Sequence, residues 1–196
     1  VNVNLDSSLY FDGNVNDDRL IISDDNTAAT GDFGTGNFSI SFWIYVGENG
    51  FDTSDSWGSL LGKGFTTSAP SNGYGFVRNS SSNNITFLGC ANAGGSFPIN
   101  LSIPSGVVLG AWNHMAFTRN GTSVKLYHQG QLVNSATASE TGNFTNTSDF
   151  KIGTNNSNAQ SVNGSIADVK LFDDELTAAE VQYLSSKVQA DPDIGG

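Results

Sequence analysis

Hydrophobic and polar positions alternate most cleanly over Asn37–Val46. Phe38, Ile40, Phe42, Ile44 and Val46 fall on one face, and Ser39, Ser41, Trp43 and Tyr45 on the other. A period of two sustained over that length predicts a half-buried strand, placed in the centre of a sheet. The stretch Trp112–Val133 alternates on both sides of Asn120-Gly121, the strongest short-range hairpin signal a sequence offers. A two-residue loop at 120–121 predicts Arg119 opposite Thr122, Phe117 opposite Val124, Met115 opposite Leu126 and Asn113 opposite His128. Met115, Phe117, Val124 and Leu126 then share an apolar face, with His114, Ala116, Thr118, Ser123, Lys125 and Tyr127 on the other. Gln129-Gly130 offers a second two-residue turn, which places Leu126 opposite Val133. A slip of one residue would turn the apolar face to water, so the faces are strongly specified.

Shorter runs complete the pattern. Strands are predicted at Ser8–Gly13, Arg19–Ile22, Leu60–Gly64 and Phe150–Gly153, with a hairpin formed by Tyr74–Arg78 and Ile85–Gly89. Ile99–Ile103 lies between Pro98 and Pro104 and suits a sheet edge. The last strand, Gly164–Phe172, puts Ala167, Val169 and Leu171 on one face and Ile166, Asp168, Lys170 and Phe172 on the other. A helix begins after Thr177 and ends near Lys187, because Thr177 and Glu180 form a capping box and Leu176 with Val181 a hydrophobic staple. Phe42 and Trp112 are expected in the core. Many short strands at regular spacing with one terminal helix predict an all-β fold, a two-sheet antiparallel sandwich. The domain is drawn at 1–188, and 189–196 as a tail or linker.

The length of 196 residues suits one domain with a sizeable core. The net charge of -11 argues against electrostatic binding of nucleic acid or an anionic membrane, both of which need a basic surface. Neutral sugars, cations and neighbouring protein chains remain as partners. Cys90 is the one cysteine, so no internal disulfide forms, and it reads as a small buried hydrophobe. No apolar run approaches a membrane span. No signal peptide is visible, and a chain starting at Val1 is expected to have lost a leader or been cut from a longer one.

Three segments carry a family resemblance: SLYFDG at 8–13, WNHMAFTRNG with VKLYHQGQLV across 112–133, and NGSIADVKLFDDELTAAEV at 163–181. NFSISFWIYV at 37–46 and LLGKG at 60–64 fill the interval. In this order the segments resemble the laminin-G-like, concanavalin A-like jelly-roll modules over nearly the whole chain. The resemblance implies a jelly-roll sandwich in which the first and last strands are neighbours. It also implies calcium at a sandwich edge. Asp12 and Asp168, with Asp18 or Asp17 as a third ligand and nearby turn carbonyls, are the candidates for a structural Ca2+, which takes about six to eight oxygens. The competing reading is that these carboxylates cap turns or bond backbone amides.

The wider fold includes glucanases, whose retaining chemistry needs two carboxyl groups about 5–5.5 Å apart. Glu48, Glu140, Glu175 and Glu180 do not alternate on one strand as that chemistry requires, so no catalytic residue is assigned. His114 and His128 fall on opposite faces of the hairpin and suit structural hydrogen bonding rather than a shared metal. No nucleophile elbow, phosphate-binding loop or zinc-protease motif occurs.

Aromatic rings in or beside loops are the candidate sugar platforms: Trp57, Tyr74 and Phe97, with Phe51, and with Asn72, Arg78 and Lys63 near in sequence to bond hydroxyls. Any one ring alone is better explained by loop packing, and it is as a group that they mark the loops. Asn-x-Ser/Thr triplets at Asn37, Asn84, Asn120 and Asn143 arise readily in a chain this rich in those residues. The expected function is non-catalytic recognition of glycans at a cell or virion surface, outside the cell. The alternative is a structural or adhesive module acting through protein contacts, as on a capsid, fibre or multidomain surface protein.

Overall fold

The computed structural model describes residues 8–13, 18–24, 30–51, 57–65, 72–79, 82–90, 97–139, 142–158 and 162–187. Asp17 and Glu140 lie outside them. Twelve strands and a helix follow in chain order. They are β1 (Leu9–Asp12), β2 (Leu20–Ile22), β3 (Phe38–Val46), β4 (Trp57–Lys63), β5 (Gly73–Asn79) and β6 (Asn84–Cys90), then β7 (Ile99–Ser102), β8 (Ala111–Asn120), β9 (Ser123–His128), β10 (Gln131–Thr137), β11 (Phe150–Ile152), β12 (Asn163–Phe172) and α1 (Ala178–Ser185). They form two six-stranded sheets, ordered β1-β12-β3-β8-β9-β10 and β2-β11-β4-β5-β6-β7. Every pairing is antiparallel, and the architecture is the jelly-roll sandwich.

The alternation in β3 builds the centre of the first sheet. Phe38, Ile40, Phe42, Ile44 and Val46 are all fully buried, and β3 pairs with β12 on one side and β8 on the other. The second sheet answers with Tyr74, Phe76, Ile85, Phe87, Ile99 and Leu101 in the same core. Phe42 meets Phe76 edge-on across the interface at 4.8 Å, a geometry aromatic pairs favour. Cys90 is buried.

The hairpin keeps its predicted faces but not its register. Asn120 pairs with Ser123, so Arg119 faces Val124, Phe117 faces Leu126 and Met115 faces His128. The loop is Gly121-Thr122, one residue later than expected. An Asn-Gly loop of type I′ needs positive φ at both residues, and here only Gly121 has it, at 57°. Asn120 is held in the strand because its Nδ2 donates to Glu175 Oε2 at 2.8 Å, while Gly121 N–H donates to Asn37 Oδ1 at 2.9 Å. The shift is two positions in pairing, which preserves which side chains point inward.

Gln129 and Gly130 do form the second two-residue turn, both at positive φ, 52° and 74°. A bulge between Leu132 and Asn134 then sets Leu126 opposite Asn134 rather than Val133. A second bulge interrupts β12 between Ala167 and Lys170, where Asp168 sits at φ 52°. The extra residue switches faces, so Ile166 and Val169 both enter the core, against the uninterrupted alternation expected there. Trp112 is not core either: it stands opposite Tyr45 on the outer face, half-buried, with the rings edge-to-face at 5.8 Å.

The helix packs on the outer face of the first sheet, where Val181 and Leu176 meet Ala116 and Tyr127. Its capping box is complete, with Thr177 Oγ1 accepting from Glu180 N–H and the Glu180 carboxylate accepting from Thr177 N–H. Among the described residues no helix is long and apolar enough to cross a membrane.

Candidate functional site

The outer face of the second sheet is built by the polar half of the same alternation that fills the core. On β5, Tyr74 and Phe76 point inward, which sends Val77 and Asn79 outward. On β6, Ile85 and Phe87 point inward, which sends Asn84, Thr86 and Leu88 outward. On β7, Asn100 and Ser102 face out while Ile99 and Leu101 are buried. Cross-strand pairing lines these up: Asn79 with Asn84, Thr86 with Ser102, Leu88 with Asn100. Thr86 and Ser102 share a hydroxyl hydrogen bond of 2.7 Å.

Two rings bound this floor. Trp57 begins β4 opposite Asn79 and is about a third exposed, at 37%. At the other end Phe97 stands 5.9 Å from Phe65, in a small cluster with Val77 and Leu88 separate from the main core. Phe65 lies over Gly75, where an added Cβ would come within 3.0 Å of the ring, so glycine is what lets Phe65 fold onto the sheet and support Phe97. Between the rings is an open groove of about 410 Å³, lined by Trp57, Phe97, Leu88, three asparagines (Asn79, Asn84, Asn100), Thr86 and Ser102. Among the described residues its lining is uncharged. Asparagine offers both donors and acceptors, and hydroxyls offer either. Flanked by two aromatic rings, this arrangement suits a molecule with apolar faces and many hydroxyls.

Of the residues expected to bind ligand, Trp57 and Phe97 are thus brought together. Tyr74 and Arg78 are not, which corrects the expectation for both. Tyr74 is fully buried in the core, its hydroxyl donating to Gly31 O at 2.8 Å; burial, with Asp32 adding, pushes that phenol well above its usual range. Arg78 is 2% exposed and points to the inner side, its guanidinium 5.5 Å from the ring of Phe51, itself core. Asn72 is a turn residue at φ 59° whose carbonyl accepts from Asn146 Nδ2. Lys63 is buried in ion pairs with Asp24 and Asp32, each 2.9 Å. The amide and hydroxyl floor went unassigned in the sequence. Its signal was the outward half of two core strands, Asn84-x-Thr86-x-Leu88 and Asn100-x-Ser102.

Asp12 pairs with Asn163 at the start of β12, confirming the neighbouring first and last strands. Asp12 N–H donates to an Asp18 carboxylate oxygen at 2.6 Å. Asp168 lies five residues further along β12, in the bulge, and is ion-paired with Lys170. The structure brings Asp12 and Asp18 together and leaves Asp168 apart. Among the described residues no three His, Cys, Asp or Glu side chains gather as a metal site would require.

His114, His128, Glu175 and Glu180 are each engaged within the fold. His114 is fully buried with Nε2 2.9 Å from Ser41 Oγ, and His128 Nε2 is 2.9 Å from Asn113 Oδ1. The Glu175 carboxylate is bound by Lys125 Nζ, then Asn120 Nδ2, each at 2.8 Å, which lowers its pKa. Glu180 is lowered by the helix cap it completes.

Comparison with known proteins agrees with the fold. The family model described as the concanavalin A-like lectin/glucanases superfamily matches residues 12–182. No match is found among curated protein sequences. Among solved structures, the chain is similar to the Ruminococcus gnavus IT-sialidase CBM40 bound to α2,3-sialyllactose, with TM-score 0.70, 15% identity, and 92% of this chain and 97% of that one covered. It is also similar to domain 4 of an extracellular arabinanase from Geobacillus stearothermophilus in complex with arabinotriose, with TM-score 0.64, 17% identity, and 95% and 82% covered. A third is the heptameric SAP-like pentraxin from Limulus polyphemus, with TM-score 0.63, 14% identity, and 96% and 84% covered.

Proposed function

The chain belongs to the concanavalin A-like lectin/glucanase superfamily, and from that premise we propose that it is a non-catalytic carbohydrate-binding module acting outside the cell, at a cell or virion surface. The observation that carries the reading is the groove between Trp57 and Phe97, floored by amides and hydroxyls and, among the described residues, free of charged side chains. A sugar ring lays its C–H face on an aromatic ring while its hydroxyls exchange hydrogen bonds with side chains of this kind. Two of the similar solved structures are complexes with an oligosaccharide, which supports the reading by analogy of fold alone.

Hydrolysis needs a pair of carboxyl groups at the bond to be cut. Among the described residues the groove lining has no acid, and Glu175 and Glu180 are occupied in a salt bridge and a helix cap. Structural Ca2+ enters this reading only at Asp12 and Asp18, away from the groove. The test is a glycan array with and without Ca2+, repeated with Trp57→Ala. Binding in the wild type that falls about tenfold in the variant supports the reading, since the stacking and the apolar area lost with the ring together come to about 1.4 kcal/mol. A blank array under both conditions removes it.

A further inference from the structure

We infer that the groove selects uncharged glycans and rejects acidic ones. This rests on the reading of the groove as a glycan site and adds the class of sugar it takes. Recognising a carboxylate or sulfate on a sugar takes a guanidinium or ammonium aimed at it, and the chain has eight Lys and Arg in all. None lines the groove.

The cations are engaged elsewhere. Lys63 is sealed between Asp24 and Asp32. Arg119 is 1% exposed, donating to the carbonyls of Gly121, Thr35 and Gly142 and lying over Phe38 and Phe144. Lys151 donates to Asn156 O and Asn158 Oδ1 and is 7% exposed. Lys125 and Lys170 are ion-paired with Glu175 and Asp168 on the first sheet. Lys187 donates to the Tyr183 hydroxyl on α1. Arg78 points to the inner side beside Phe51. Arg19 precedes β2, at the sheet edge opposite β7.

The net charge of -11 works in the same direction. An acidic sugar approaching this surface meets repulsion within a Debye length of about 8 Å at physiological salt. At the groove it would lose water with no cation to replace it.

The test uses paired probes on one array: lactose-terminated glycans and the same cores capped with α2,3-sialic acid or sulfate. Binding should be confined to the uncapped members, with capped ones at least about tenfold weaker. The affinity for the uncapped glycan should change less than about twofold between about 50 and about 500 mM NaCl, since no ion pair is made. Asn100→Arg, an exposed position in the groove, should raise binding of the sialylated probe at least about tenfold, the scale of a charge-assisted contact. Equal or tighter binding of capped glycans by the wild type overturns the charge selection while leaving glycan binding intact. An Asn100→Arg variant with unaltered preference also overturns it, because the selecting surface then lies elsewhere. A blank array for every probe overturns the glycan reading itself and this inference with it.

Discussion

Phe87 of β6 stacks on Phe117 of β8, ring centroids 3.6 Å apart and planes within 11°. Each ring comes from a different sheet, and both are fully buried. The stack ties the groove-bearing sheet to the other at the position just before Leu88, part of the groove lining. Phe117→Ala removes a large buried ring and leaves a cavity, at a cost of about 3–5 kcal/mol. Urea unfolding should show a lower midpoint at unchanged slope. A loss under about 1 kcal/mol would mean that the sheets close up without it.

The inward faces of β3, β8 and β9, Phe117 among them, were legible from alternation alone, because burying one face of a strand fixes a period of two. The bulges were not. One extra residue in β12 at Asp168, or in β10 near Val133, changes neither composition nor local pattern enough to be read, yet it switches every side chain beyond it. The turn at Asn120-Gly121 was misplaced for a different reason. A distant carboxylate, Glu175, holds Asn120 in the strand, and no short-range rule contains it. In the groove, the two boundary rings were identified and the amide floor was missed, since outward Asn and Thr on strands look like ordinary wet positions. Tyr74 was misassigned because it stands beside a loop at the start of its strand, yet its ring is inward and its hydroxyl is spent on Gly31 O inside the core.

Gly130 closes the turn between β9 and β10 at φ 74°, and a Cβ there would collide with Ser185 Oγ of α1. Gly130→Ala therefore carries both a left-handed backbone strain of about 1–2 kcal/mol and a clash with the helix. Thermal melting should show the loss. Adding Ser185→Ala should return part of it by removing the hydroxyl oxygen. Additive losses would mean that the helix does not press on the turn.

Lys63 lies inside with its ammonium shared by Asp24 and Asp32 and donating to Thr30 O. Lys63→Met keeps most of the volume but takes the ammonium away from Asp24, whose side chain is 2% exposed. Removing one partner of a buried pair costs about 3–5 kcal/mol. Chemical unfolding of Lys63→Met measures it, and a stability within about 1 kcal/mol of wild type would show that the acids rehydrate freely.

Asp168 is ion-paired with Lys170 and five residues along β12 from the partner of Asp12. Asp168→Ala should therefore shift its melting temperature with added Ca2+ by as much as the wild type does. A calcium response present in the wild type and abolished by Asp168→Ala would return that carboxylate to the ligand set.

The pH dependence of stability turns on His114. It is fully buried on the outer face of β8 beneath Trp43, whose ring centroid is 5.1 Å away, and beside Ser41. Burial is the main cause that lowers its pKa to about 4. Asp168 opposes the shift, while Lys170 and His128 add to it. His128 is itself lowered by burial. In the unfolded chain His114 titrates near 6.5, so between pH 6.5 and about 4 the unfolded state binds the extra proton and the folded state does not. Stability is therefore full above pH 6.5, falls as pH drops through that window, and levels off below about 4, with a loss on the order of 3 kcal/mol from this group. Glu175, whose pKa is lowered chiefly by its bond to Lys125, begins to contribute in the same direction only below its unfolded value of 4.5. The two separate by variant. His114→Gln should flatten the slope of stability between pH 6.5 and 4.5 and leave the steeper acid limb in place. A His114→Gln curve parallel to wild type across that window would show that the imidazole takes up its proton in the folded protein as readily as in water.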